Sequence, residues 1–107
     1  LKHGTIALVE DDTLIFALAS QDFLFEKMLS NIEEVKTRGA RVVGIAKKNQ
    51  NAIQSKADEV IFIPDCADEI TPLLTVVPLQ LFAYYVAKRR GTNVDKPKNL
   101  AKSVTVE

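Results

Sequence analysis

With 107 residues the chain has room for one domain or part of one, because independent domains usually hold about 100–150 residues. Lys plus Arg number 14 and Asp plus Glu number 14, so no net field favours nucleic acid or anionic lipid. An apolar share of 47% beside 26% charged residues excludes a disordered chain and implies a packed core. One cysteine, Cys66, rules out an internal disulfide and any zinc site of several thiolates, which fits a reducing compartment and makes the cytoplasm the expected location. No stretch reaches the roughly 18–20 consecutive apolar residues of a bilayer span. Leu1-Lys2-His3-Gly4 lacks the charged-then-apolar layout of a signal peptide, so neither a membrane nor secretion is expected. The first residue is Leu1 rather than Met, and reads as the start of a piece of something longer.

In chain order, residues 1–10 carry Ile6, Ala7, Leu8 and Val9 after His3-Gly4, and both a short helix and a strand fit them. Residues 13–19, 41–46 and 59–63 are continuous apolar runs, the pattern of strands buried on both faces. Between the first two, residues 22–38 place Phe25, Met28, Leu29, Ile32 and Val35 at helical spacing. Ser20 or Asp22 is suited to cap that helix, Lys36 and Arg38 complement its dipole, and Gly39 is placed to end it in the left-handed conformation. Strand, helix, strand in about 30 residues is a βαβ unit with parallel strands, so the fold class is α/β.

Residues 49–56 are polar and fit a short helix or an irregular crossover, and Pro64 closes the third strand. A second long helix, about 69–89, follows Asp65 or Asp68, with Ile70, Leu74, Val77, Leu81 and Tyr84 or Tyr85 expected on its covered side. Pro72 suits its first turn, Pro78 should kink it, and Gly91 ends it. Residues 92–107 have no amphipathic period and read as a tail that is frayed or docked.

The turn after the first strand, Ala19-Ser20-Gln21-Asp22-Phe23, has no glycine, so a dinucleotide or P-loop phosphate site is disfavoured. Lys102 is flanked by Leu100, Ala101 and Val104; in a dry setting such a lysine loses its proton and attacks carbonyls, although an exposed tail lysine is the ordinary case. His3 is the one imidazole and could carry a proton near neutral pH, but it has no visible carboxylate partner. No ligand cluster calls for a metal, since Glu10-Asp11-Asp12 matches no calcium loop and reads as a solvated turn. Residues 65–69 put acids at a helix start and Lys88-Arg89-Arg90 put bases at its end, where the dipole explains both. Cys66 belongs to no C-x-x-C motif and reads as a passive thiol.

Three stretches go beyond composition. Lys2-His3-Gly4 with Ala7-Leu8-Val9, the segment 77–83, and above all 91–107 with its ending Asn99-Leu100-Ala101-Lys102-Ser103-Val104-Thr105-Val106-Glu107 resemble the C-terminal end of the isomerizing glutamine–fructose-6-phosphate aminotransferases. The resemblance runs in order over all 107 residues. It implies a doubly wound, SIS-type (sugar isomerase) fold: residues 1–91 would be an N-terminally truncated second SIS domain and 92–107 the C-terminal tail. It implies that Lys102 forms a Schiff base with open-chain fructose 6-phosphate and that His3 helps open the sugar ring across a homodimer interface. Leu100, Ala101 and Val104 match positions lining the ammonia route. The glutaminase, the first SIS domain with its phosphate loop, and the glutamate base belong to the rest of such a chain, so the 107 residues alone are expected to be inactive. No cofactor is implied, and Cys66 does not match the glutaminase nucleophile. The family has Pro after His-Gly where this chain has Thr5, which frees a backbone N–H. The alternative is a non-catalytic, phosphosugar-binding SIS module that regulates a partner.

Overall fold

The computed structural model describes residues 4–96. Three parallel strands, β1 (Leu14–Leu18), β2 (Arg41–Lys47) and β3 (Glu59–Ile63), form one sheet in the order β1-β2-β3. Ile15 pairs with Val42, and Gly44 lies between Ala17 and Val60. Helix α1 (Phe25–Lys36) crosses from β1 to β2, and helix α2 (Thr71–Arg89) follows β3. The chain divides into two compact units with the boundary between Thr75 and Val76.

Parallel strands need a crossover, and α1 supplies it because its apolar stripe matches the sheet. Leu29, Ile32 and Val35 form one buried cluster with Ala17, Val42, Ala46 and Ile53. Ile32, Val42, Ala46 and Ile53 are 1% exposed or less. Each of the Ile and Val side chains among them contributes about 1.5–3 kcal/mol on burial. The helix ends as its sequence demands: Gly39 adopts φ +83° and its carbonyl accepts the Asp12 N–H at 2.9 Å.

The start of α1 differs from expectation. Residues Asp22–Leu24 form a tight 3₁₀ turn before the α-helix, and no side chain at Gln21 or Leu24 caps it. Neither Ser20 nor Asp22 serves; instead the carboxylate of Asp68, 46 positions away, accepts the Asp22 N–H at 3.0 Å. A distant acid therefore satisfies donors that a local residue usually satisfies.

The crossover from β2 to β3 is a 3₁₀ turn, Asn51–Ser55, that inserts Ile53 under Gly44. The first described segment is a 3₁₀ turn over Thr5–Leu8 rather than a strand. Thr5 takes its first position, where an N–H has no partner within the turn in any case, so proline is dispensable there.

Helix α2 runs through Pro78 to Arg89, and Gly91 follows with φ +70°. Of the residues expected on its covered side, Leu74 is half-buried. Thr71 and Thr75 are its buried residues, while Ile70, Val77, Leu81 and Tyr85 are between 45% and 61% exposed. The helix is apolar nearly all round, so periodicity does not select a face. The two hydroxyls bond backward, Thr71 to the Asp68 carbonyl at 2.8 Å and Thr75 to the Pro72 carbonyl at 3.3 Å, which removes the cost of burying them. With its leading turn, the helical stretch Asp68–Arg89 is long and apolar enough to cross a membrane by length and composition.

Candidate functional site

The residues singled out in the sequence, His3, Leu100, Ala101, Lys102 and Val104, lie outside the described residues, as does most of the tail over 92–107. The described residues contain two other features with the chemistry or the shape of a site.

The first is at the carboxyl edge of the sheet, where open α/β sheets place their ligands. Lys47 ends the middle strand, and its side chain is 2% exposed. Its ammonium donates to Asp22 Oδ2 at 2.8 Å and to Asp68 Oδ1 at 2.7 Å. Gln50 closes the circuit: its Nε2 donates to Asp22 Oδ1 at 2.9 Å, and its Oε1 accepts the Lys47 backbone N–H at 2.8 Å. The Asp22 carboxylate leads among the causes that hold the Lys47 pKa far above the ordinary lysine value, with Asp68 next, and both outweigh burial. Lys47 in turn holds the Asp68 carboxyl below the usual carboxylate range, helped by the Asp22 N–H. The cluster carries one cation and two anions, and a lysine so charged is no nucleophile.

A second ion pair braces the opposite end of the strands. Asp58, just before β3, accepts from Lys36 at the end of α1 at 2.7 Å and from the Val42 N–H at 2.8 Å. The Lys36 bond is the larger cause of its lowered pKa. Lys56 also pairs with Glu33.

The second feature is a pocket of about 440 Å³ between the Thr5–Leu8 turn, β1 and α1. Ile6, Val9, Ile15, Met28 and Ile32 line it, with Thr5, Thr13 and Asn31 as its polar groups. Among the described residues no titratable side chain borders it, and those residues offer a space to bind or pack an apolar group. Among the described residues no group of three or more His, Cys, Asp or Glu is placed to hold a metal.

The Lys47 cluster is what reading along the chain missed. Its signal was available: a lysine extends the apolar run 42–46 by one residue, while Asp22 and Asp68 follow the two flanking strands. Sequence separations of 21, 25 and 46 hide that coincidence until the sheet is assembled.

The profile of the SIS domain family matches residues 1–88, which takes in all three strands, α1 and nearly all of α2. The chain belongs to the SIS domain family. Over all 107 residues this SIS domain is 65% identical to the isomerizing glutamine–fructose-6-phosphate aminotransferase of Caldanaerobacter subterraneus subsp. tengcongensis. It is 53% identical to that of Clostridium acetobutylicum. In both cases 100% of this chain aligns with 18% of the relative, so it spans less than a fifth of their length. Among solved structures, the C-terminal domain of glucosamine-fructose-6-phosphate aminotransferase from Francisella tularensis superposes with a TM-score of 0.77 at 35% identity. That match covers 90% of this chain and 27% of the other. The SIS profile extends into α2, and a helix apolar on all sides is one that a domain core uses.

Proposed function

We propose that this SIS domain is the last part of the isomerase region of a synthase that makes glucosamine 6-phosphate and glutamate from fructose 6-phosphate and glutamine. The observation that carries the reading is the alignment of the whole chain, at 65% and 53% identity, with relatives named isomerizing glutamine–fructose-6-phosphate aminotransferases. Residues 1–91 are the second SIS domain in this reading, and 92–107 are the tail. The remainder of the chain supplies the glutaminase, the phosphate loop and the glutamate that moves the proton between the sugar carbons, so the 107 residues alone do not convert sugar. The enzyme acts as a homodimer in the cytoplasm, in keeping with a single cysteine and no disulfide framework.

Lys102 acts as the nucleophile. Its neutral amine adds to the open-chain ketone of fructose 6-phosphate, and the carbinolamine so formed loses water to leave the neutral Schiff base. The apolar neighbours Leu100, Ala101 and Val104 exclude water from the imine and from arriving ammonia, and favour the neutral amine. His3 moves the proton that opens the sugar ring.

In the complete enzyme, Lys102→Arg is expected to abolish glucosamine 6-phosphate formation while glutamine hydrolysis stays measurable. Normal output of the amino sugar would sink the Schiff-base role. Borohydride reduction with fructose 6-phosphate separates this reading from a phosphosugar-binding regulatory module: the enzyme traps an adduct on Lys102, whereas the module binds without one.

A further inference from the structure

The carboxyl edge of an open parallel sheet is the usual crevice for an anionic ligand, because loops diverge there and backbone N–H groups point outward. Among the described residues the buried cation at that edge, Lys47, is already paired, while Lys48 beside it is exposed. Lys47 lies at the end of the central strand, Asp22 follows β1, and Asp68 follows β3. Asp68 does two things at once: it pairs with the Lys47 ammonium at 2.7 Å and accepts the Asp22 N–H at 3.0 Å, a donor that would otherwise face the crevice. Asp22 likewise divides its two oxygens between Lys47 and Gln50. Every group in the circuit is satisfied, and among the described residues no buried side-chain polar atom lacks a partner.

We propose that the carboxyl edge of this sheet is closed from within: Lys47 acts as a built-in clasp that ties the ends of all three strands together and fills the place such a sheet otherwise offers to a phosphate. The clasp has an outcome for chemistry and one for mechanics. An incoming phosphate meets a cluster of net charge −1 whose cation is already engaged. Mechanically, the loop after β1 and the turn that leads into α2 cannot open separately, because each holds one carboxylate on the same ammonium. This inference does not depend on which reaction the complete protein performs.

Hydrogen–deuterium exchange on the complete protein tests it. Lys47→Met keeps the length of the apolar stem and removes the charge. Amides of residues 20–24 and 68–71 are then expected to exchange roughly tenfold faster or more, while the interior of α1 around Ile32 is unchanged. Should Lys47→Met fail to fold, Asp68→Asn, which keeps an acceptor for the Asp22 N–H but loses the ion pair, carries the same expectation at smaller size. A parallel titration of the wild type with inorganic phosphate is expected to leave exchange of both segments unaltered. Unchanged exchange in the folded variant would overturn the clasp, and phosphate-dependent slowing at residues 20–24 or 47–50 in the wild type would show that the edge is a ligand site after all.

Discussion

Gly44 occupies the middle of β2, where a Cβ built on its backbone would lie 2.5 Å from Ile53 Cδ1 and 3.1 Å from Ile53 Cγ1. Ile53 is fully buried, so a shift of its Cδ1 has to be taken up by packed neighbours. Gly44→Ala is therefore expected to destabilise the fold by about 1–3 kcal/mol through overpacking, read as a lower urea midpoint with an unchanged slope. An unaltered midpoint would mean that the β2–β3 crossover yields more easily than its packing implies. Gly39 is constrained for a different reason. Its φ of +83° strains any residue with a Cβ, and that Cβ would fall 1.9 Å from Asp11 Oδ1.

The elements are joined at their ends by carboxylates. Asp58 ties the last turn of α1 to the start of β2 through Lys36 and the Val42 N–H. Its pKa is lowered on folding, so its contribution is complete above the ordinary carboxylate value of about 3.9 and is lost as pH falls through the lower folded value. Asp58→Asn should be less stable than the wild type at neutral pH, with the gap closing as the pH drops below about 4. Urea midpoints of both proteins from pH 7 down to pH 2 measure this, and a gap that widened on acidification would refute it. Asp68 acts in the same direction at the other end of the strands, where its acceptors serve both Lys47 and the start of α1. The elements themselves were legible beforehand because strand runs, the 3.6-residue stripe of α1 and the glycine stops are local signals. The acceptor for the Asp22 N–H in the turn ahead of α1 was not, since it lies 46 positions away.

At the scale of the whole molecule, apolar surface exceeds what the described residues cover. Leu14 and Leu18 on the edge strand β1 are 47% and 45% exposed, and Leu73, Val77, Leu81 and Tyr85 of α2 are at least half exposed. Parallel sheets normally have both faces covered, and an open edge strand pairs readily with another chain. The isolated 107-residue chain is expected to self-associate with a concentration-dependent sedimentation coefficient. A monomer at every concentration would show that this surface is tolerated in water. The same excess is consistent with a chain that spans only 18% of its curated relatives.

The sequence by itself determined the α/β class, three parallel strands with a helical crossover between the first two, the stops at Gly39 and Gly91, and the kinship with the SIS domain family. All of these depend on neighbours within a few positions or on an uninterrupted run of residues. Tertiary structure alone decided that Thr71 and Thr75 are the buried residues of α2, that Asp68 accepts the Asp22 N–H in the turn ahead of α1, and that Lys47 is buried between two carboxylates. The reason is geometric. A parallel sheet brings residues at and just past the ends of neighbouring strands within hydrogen-bonding distance while leaving them 21 and 25 residues apart in the chain, so Asp22 and Asp68, which read as acids at helix starts, close with Lys47 into one cluster.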